Sequence, residues 1–242
     1  MEILEKTELE EKLAPYIEKR WLHFLMPFLN RANIFSYLTE RKKHVQIVPH
    51  QKDMFNAFKY TPFDDVRVCI LGQSPYSNLV YGKPEAHGLA FSYKKNNELD
   101  FHCPKSLAVI RNEIENDIAK GEMLNFETDL TGWAKQGVFL LNTALTTEVG
   151  SADAHIKLWQ PFTRHIIQCI NDYNAGVIFC LWGAHANEYA SLIDEKKHYI
   201  LSCGHPATEL YNEGNGSFYG NKHFSKIDKI LKENNKEKIE WV

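Results

Sequence analysis

The 242-residue chain lacks the features that mark membrane-spanning, secreted and strongly charged proteins. It has no apolar run near the roughly 18 residues that a membrane-spanning helix needs. Its first residues, MEILEKTELEEK, are charged from the second position onward, so no secretory signal is expected there. The formal net charge is only −3, which excludes a strongly basic chain but leaves room for a local basic face.

The chain also has few cysteines and no metal-binding or cofactor motif. Its five cysteines contain no C-x-x-C pair, which argues against a disulfide framework and a zinc site. Cys69 and Cys180 lie in apolar runs, where buried, reduced thiols are expected. A G-x-x-x-x-G-K-[ST] loop and an H-E-x-x-H helix are absent. We expect no metal, no cofactor and a cytoplasmic location.

The length and the 44% hydrophobic content suit a single domain with one substantial core. This domain is predicted to span residues 1–242, with residues 1–21 forming an N-terminal helical extension. Thr7 and Glu10 have the spacing of a capping box, which indicates where the first helix begins. Pro15 falls inside the apolar pattern that follows and predicts a break in that helix.

Four short apolar runs alternate with helical patterns along the rest of the chain. The runs are Val66–Leu71, Val138–Leu141, Val177–Leu181 and Tyr199–Leu201. The helical patterns are Ser106–Lys120, Gln160–Tyr173, Ala184–Ile193 and Asn221–Asn234. Apolar runs without alternation are typical of strands buried on both faces. Strands that alternate with helices predict an α/β fold, here a three-layer α/β/α sandwich with a central four-stranded parallel sheet.

Polar residues follow three of these predicted strands. Gln73 and Ser74 come after the first run, Asn142 ends the second, and His205 follows the fourth. Ligands of open α/β sheets bind outside the carboxyl ends of the strands, so these side chains are expected to converge on one crevice. Serine and asparagine are also common in turns, and spacing alone leaves open that each is only a turn residue.

At these positions the sequence resembles the family-1 uracil-DNA glycosylases. The segment VCILGQSPYSN…EAHGLAFSY resembles a strand of that family with its Gly-Gln-Asp-Pro-Tyr-His water-activating loop and AHGL-Phe-Ser segment. Further matching segments follow in the family's order: PKSLAVIRNEIENDI, DLTGWAKQGVFLLNTALTT, LWGAHAN and HPATELYNEGNGSFYGNKHFS. The likeness runs from about Leu22 to Leu231. It implies the family's fold and a monofunctional DNA N-glycosylase, because no lysine stands in the segments that carry Gln73, Ser74, Tyr76 and Phe91.

The resemblance also implies a role for each matched residue in releasing a base that has been flipped out of DNA. His205 would donate a hydrogen bond to the departing base, and Asn142 would read its edge. Phe91 would stack on the face of the base, and Tyr76 would exclude substituents at carbon 5. Gln73 would bond the base through its backbone or its side chain.

DNA contacts are implied for a second group of residues. Ser106 would grip a phosphate, Leu210 would be the intercalating wedge, and His223 would lie on the phosphate side. Two phosphate-gripping serines of the family are alanines in this chain, Ala184 and Ala207. Fewer donors to phosphate imply weaker or differently placed DNA binding.

The chain departs from the family at the water-activating loop. Ser74 replaces the family's catalytic aspartate, and Ser77 replaces a neighbouring histidine. Serine can orient a water molecule but cannot carry the negative charge that stabilises a positively charged sugar. The substitution therefore predicts a rate lower by several powers of ten unless another acid substitutes, and Glu209 is a candidate. The stretch between Tyr76 and Ala86 is also a few residues longer than in the family.

Three functions are compatible with the sequence. The first is excision of uracil, which the retained Tyr76, Phe91, Asn142 and His205 favour. The second is excision of a bulkier pyrimidine, such as a hypermodified cytosine in phage DNA, for which the longer loop would make room. The third is a catalytically weak or inactive DNA-binding homologue, which the missing aspartate favours. In each case we expect a monomer that binds single- or double-stranded DNA and does not bind a membrane. If the source is bacterial, we expect it to be associated with the nucleoid. An inhibitor protein could occupy the same face.

Overall fold

The computed structural model describes residues 7–96, 99–120, 126–207 and 217–242. Within those ranges, no helix combines the length and the apolar character needed to cross a membrane. The strands are β1 (Ile47–Val48), β2 (Val68–Gly72), β3 (Leu79–Val80), β4 (Lys83–Pro84), β5 (Val138–Asn142), β6 (Thr147–Glu148), β7 (Ile178–Trp182) and β8 (Tyr199–Cys203). The helices are α1 (Glu8–Leu13), α2 (Lys19–Leu29), α3 (Ile34–Arg41), α4 (Asn56–Tyr60), α5 (Lys105–Asp117), α6 (Thr131–Lys135), α7 (Ile156–Tyr173), α8 (Ala184–Asn187) and α9 (His223–Glu233).

The central sheet has four parallel strands in the order β5-β2-β7-β8, as the sequence predicts. Strands β2, β5 and β7 are buried along their whole length. The expectation that the fourth run is buried on both faces is wrong, since β8 is only partly buried and Tyr199 is exposed. β8 pairs with β7 alone at one edge of the sheet, where less of the described chain packs over it than over β5 at the other edge.

Helices cover both faces of this sheet, which confirms the three-layer fold. On one face, the Trp21 ring of α2 stacks on Phe139 of β5, with the ring centroids 4.8 Å apart. Phe58 of α4 meets the same phenylalanine edge-on at 5.2 Å. On the other face, Phe224 of α9 packs against Trp182 of β7. Such contacts between large buried rings contribute much of the stabilisation of a core of this size.

The local predictions for the helices are partly confirmed. The Thr7 hydroxyl accepts a hydrogen bond from the Glu10 backbone N–H, and α1 ends before Pro15. The helix expected over Ala184–Ile193 is wrong, because α8 stops at Asn187 and a short 3₁₀ turn follows. Cys69 and Cys180 are fully buried, as expected, and burial raises the pKa of both thiols.

Candidate functional site

A cavity of about 340 Å³ opens beside the carboxyl ends of β2 and β5. Residues from several distant segments line it, and they include most of the side chains singled out in the sequence. The predicted site residues at the cavity are Gln73, Ser74, Tyr76, Phe91, Ser106, Asn142 and His205. The prediction that the strand ends meet in one crevice is therefore confirmed.

The Asn142 side chain is held in a space that only a glycine leaves free. Asn142 is the last residue of β5 and pairs in register with Gly72, the last residue of β2. A Cβ atom at Gly72 would overlap the Asn142 Oδ1 atom and would lie 2.9 Å from the Ala90 Cβ atom. The Asn142 residue is only 8% exposed, so its amide is presented to the cavity from a buried position.

Phe91 and Tyr76 form an apolar wall that is fixed by hydrogen bonds. The Phe91 backbone has a φ of 62°, in the left-handed region that a bulky residue rarely adopts. Its ring centroid lies 5.8 Å from that of His205 and 5.5 Å from that of Trp182. The Tyr76 hydroxyl donates to the Phe91 carbonyl at 3.0 Å. Burial raises the pKa of Tyr76, so this hydroxyl remains a donor.

Ser106 is engaged inside the protein. Its Oγ atom lies 2.9 Å from the Tyr76 hydroxyl oxygen, and the residue is buried. Since the single Tyr76 proton is donated to Phe91, the Ser106 hydroxyl must donate its own proton to Tyr76. A donated hydrogen bond from this hydroxyl to a DNA phosphate would first require that contact to break. The predicted phosphate contact of Ser106 remains a prediction.

The His205 ring is oriented by a backbone amide. The Ala207 N–H donates to the His205 Nδ1 atom at 3.0 Å, so in the neutral ring the proton lies on Nε2. Burial lowers the pKa of His205, while the negative charge of Asp153 acts in the opposite direction. Gly183 has a φ of 93°, and a Cβ atom there would lie 2.7 Å from the His205 Cβ atom. The close approach of these two loops therefore requires glycine at position 183.

Comparison with known proteins agrees with this arrangement. The family model described as the uracil DNA glycosylase superfamily matches residues 58–232, which is more than half of the chain. The chain belongs to the uracil-DNA glycosylase superfamily.

Similar proteins span nearly the whole length of this superfamily member. The uracil-DNA glycosylase of Buchnera aphidicola subsp. Baizongia pistaciae (strain Bp) is 43% identical over 210 residues, which cover 86% of this chain and 89% of the relative. That of Escherichia coli O81 (strain ED1a) is 39% identical over 234 residues, covering 96% and 91%. The crystal structure of mimivirus uracil-DNA glycosylase has a TM-score of 0.83 at 30% identity and covers 95% of this chain and 88% of its own. A variant of mimivirus UNG in complex with UGI has a TM-score of 0.84 at 29% identity, covering 98% and 91%.

An aspartate lies beside Ser74, the residue at which a departure from the family's pattern is expected. The Asp153 backbone N–H donates to the Ser74 Oγ atom at 3.2 Å. The Gln73 Nε2 atom donates to Asp153 Oδ2 at 2.8 Å. The sequence did not single out Asp153, because this residue follows no predicted strand and belongs to no motif. The one available signal was indirect: an acid is absent at position 74, so another must be sought elsewhere.

The longer stretch after Tyr76 does not enlarge the cavity. Its additional residues form a hairpin in which β3 pairs with β4. Within this stretch, only Ser77, Asn78 and Ala86 line the cavity. The hairpin is anchored at its base, where the Asn78 side chain donates to Glu85 at 3.2 Å. The expectation that the longer loop makes room for a bulky base therefore finds no support in the position of the hairpin.

His223 lies behind the site rather than at its surface. The residue is 2% exposed, and its Nδ1 atom accepts a hydrogen bond from Trp182 Nε1 at 3.0 Å. Burial, together with the positive charge of Lys226, lowers the pKa of His223 to about 4. This position corrects the expected DNA contact of the His223 ring, because a buried, neutral ring cannot reach a phosphate. The predictions for Leu210 and Glu209 lie outside the described residues.

Proposed function

We propose that the protein is a monofunctional DNA N-glycosylase that flips a uracil nucleotide out of DNA and hydrolyses its N-glycosidic bond. The observation that supports this most directly is one cavity that holds an aromatic face, an amide and an oriented N–H donor. These groups belong to Phe91, Asn142 and His205. Relatives that are about 40% identical to this chain are named uracil-DNA glycosylases.

The proposed mechanism assigns one task to each of these groups. The flipped base stacks on Phe91, and the Asn142 amide, which has both a donor and an acceptor, reads its edge. When the bond between C1′ and the base breaks, its electron pair leaves with the base. The neutral His205 ring then donates from Nε2 to the oxygen that gains negative charge. The described residues that line the cavity include no lysine, which supports hydrolysis without a Schiff base.

Uracil is favoured over a bulkier pyrimidine because the wall beside the base is fixed. Tyr76 is held by hydrogen bonds to the Phe91 carbonyl and to Ser106. Moving its ring to admit a large substituent at carbon 5 would break both contacts and leave the buried Phe91 carbonyl without this donor. Each unsatisfied buried polar group costs about 1–3 kcal/mol.

The test is single-turnover release of uracil from a uracil-containing single-stranded oligonucleotide. We expect rapid release by the wild type and losses of at least about 100-fold in His205→Ala and Asn142→Ala. His44→Ala, which removes an exposed histidine that does not line the cavity, is the matched control and should retain the wild-type rate. Release from DNA carrying hypermodified pyrimidines, but not from uracil-containing DNA, would contradict the choice of uracil. DNA binding with no release of either base would contradict the enzymatic proposal itself.

DNA is the proposed partner, bound by a monomer, in either single- or double-stranded form. A structural relative forms a complex with UGI, and we extend that observation to this chain as a proposal. Such a protein would occupy the DNA-binding face and block release of the base. Inhibition of the single-turnover reaction by added UGI, at equimolar protein, is the expected result, and an unchanged rate would contradict it.

A further inference from the structure

We propose that Asp153 is a catalytic residue whose carboxylate supplies, from the loop between β6 and α7, the negative charge that Ser74 lacks. The inference rests on the proposed glycosylase activity and specifies how this particular chain carries it out. It also offers a specific alternative to Glu209 as the source of the missing acid.

Asp153 lines the cavity from a solvent-exposed position. It borders the same space as Ser74, Asn142 and His205. Among the cavity-lining residues that the structure describes, Asp153 is the only one with a carboxylate. A glycosidic bond broken in this cavity would therefore have Asp153 as the one described lining residue able to oppose the positive charge of the sugar.

Asp153 is also attached directly to the water-activating loop. Its backbone N–H donates to the Ser74 hydroxyl at 3.2 Å, and its Oδ2 atom accepts from the Gln73 side chain at 2.8 Å. Both partners belong to the loop that resembles the family's water-activating loop, in which the family carries its catalytic aspartate. The serine hydroxyl thus holds the backbone of the residue that brings a carboxylate to this loop.

The loop that carries Asp153 is held in place by hydrogen bonds within the protein. The Thr147 hydroxyl donates to the Ser151 carbonyl at 2.7 Å and accepts from the Ala154 N–H at 3.3 Å. Asp153 itself has a φ of 67°, in the left-handed region, which aspartate adopts more readily than most residues other than glycine. A loop held in this way fixes the position of the carboxylate, and preorganised charge is the most effective kind in catalysis.

The Asp153 carboxylate acts electrostatically on His205. The negative charge of Asp153 raises the pKa of His205 against the larger, lowering effect of burial. The carboxylate and the imidazole therefore both border the space in which the bond to the base would break. One lies on the side of the water-activating loop, and the other on the side where the base would leave.

The chemical step balances with these two groups and one water molecule. The bond from C1′ to the base breaks, and its electron pair stays on the base, which accepts a hydrogen bond from His205 Nε2–H. The positive charge that develops on the sugar faces the Asp153 carboxylate. A water molecule, oriented by Asp153 and Ser74, forms the new C1′–O bond. It transfers one proton to the carboxylate, which releases it to solvent.

The decisive experiment removes the charge while keeping the shape. Asp153→Asn retains an oxygen that can accept from Gln73, and asparagine tolerates a left-handed backbone. Asp153→Gly removes the carboxylate and also suits the positive φ, so it serves if the first variant folds poorly. We expect single-turnover uracil release to fall at least about 100-fold in both variants. Affinity for DNA carrying an uncleavable uracil analogue should not fall.

Rescue by a second carboxylate distinguishes catalysis from a purely structural role. In the double variant Ser74→Asp/Asp153→Asn, the aspartate at position 74 should restore release to within about tenfold of the wild type. NMR titration of the His205 ring should give a lower pKa in Asp153→Asn than in the wild type. A residue that only supports the loop would leave release impaired in the double variant, because a carboxylate at position 74 does not restore the loop contacts of Asp153. Asp64→Asn, at the opposite end of the sheet, is the matched carboxylate control and should leave release unchanged.

Two outcomes would overturn the inference. One is release by Asp153→Asn and Asp153→Gly within about threefold of the wild type. The other is a large loss in Glu209→Gln with none in the Asp153 variants, which would assign the acid to position 209. Neither can be confused with failure of the proposed function, because an inactive wild type would already be evident from the comparison with His205→Ala.

Discussion

At the scale of single residues, the cavity depends on a glycine that has no Cβ atom as well as on the side chains that line it. Gly72 and Asn142 are paired across β2 and β5, and the missing Cβ of Gly72 leaves the volume that the Asn142 amide fills. The backbone of Gly72 is not left-handed, so this glycine is needed for space and not for conformation. A substitution at Gly72 should therefore impair base release more than it destabilises the fold.

We expect Gly72→Ala to lower single-turnover base release by at least about 100-fold, because the added methyl group displaces the Asn142 amide. Overpacking should lower the free energy of unfolding by about 1–3 kcal/mol, measured by urea denaturation. Gly132→Ala is the matched control, since its new Cβ atom would meet nothing within 4 Å. The control should retain wild-type release. Unchanged release in Gly72→Ala would show that the position of the Asn142 amide does not matter.

At the scale of secondary-structure elements, α9 is fixed to the central sheet through its first residue. His223 begins α9, and its ring accepts a hydrogen bond from Trp182 at the end of β7. The Asn221 side chain accepts from the His223 backbone N–H at 2.6 Å and holds the start of the helix. Protonation of this buried ring would break the bond to Trp182, so the attachment of α9 is sensitive to pH.

The pKa of His223 in the folded protein is about 4, below its ordinary value of 6.5. The unfolded chain therefore takes up a proton first, and the stabilisation present above pH 6.5 is lost as the pH falls towards 4. Between about pH 7 and pH 5, this residue should lower the free energy of unfolding by about 2 kcal/mol. Urea denaturation at both pH values should show a smaller loss in His223→Gln. Equal losses in the two proteins would contradict the assignment.

At the scale of the whole molecule, a chain with a net charge of −3 has to bind a polyanion. Its affinity for DNA must therefore come from local donors around the cavity, and two expected donors are alanines. Ala184 begins α8, whose N-terminus after Gly183 has no side-chain cap, and Ala207 lines the cavity. The scarcity of such donors predicts weaker DNA binding than the fold could support.

Restoring both hydroxyl groups should strengthen DNA binding. We expect Ala184→Ser/Ala207→Ser to lower the Kd for a uracil-free single strand by about 30-fold, since two hydrogen bonds that contribute about 1 kcal/mol each give about 2 kcal/mol in all. The slope of log Kd against log salt concentration should not change, because hydroxyl groups release no counterions. Ala175→Ser, an exposed alanine at the opposite end of the sheet, is the control. An unchanged Kd in the double variant would show that phosphates do not pass these positions.

The sequence by itself determined the layers of the fold and most of the cavity. Buried parallel strands can be recognised in the sequence as short apolar runs, and their carboxyl ends must meet at one edge of the sheet. Gln73, Ser74, Asn142 and His205 can therefore be grouped from the sequence alone. The family resemblance added Tyr76 and Phe91, which stand at no strand end and could not have been placed by pattern alone.

Only the tertiary structure decided which residues accompany that group. The edge position of β8, the burial of His223 and the hairpin outside the cavity depend on which elements become neighbours. The contact between Ser74 and Asp153 joins residues 79 positions apart. No local pattern encodes such a distance, because it results from the strand order together with the path of a loop. Site residues at the ends of strands can therefore be predicted from the sequence, because the pattern of apolar residues locates the strands. Site residues that meet through two loops can be found only from the packing of the folded chain.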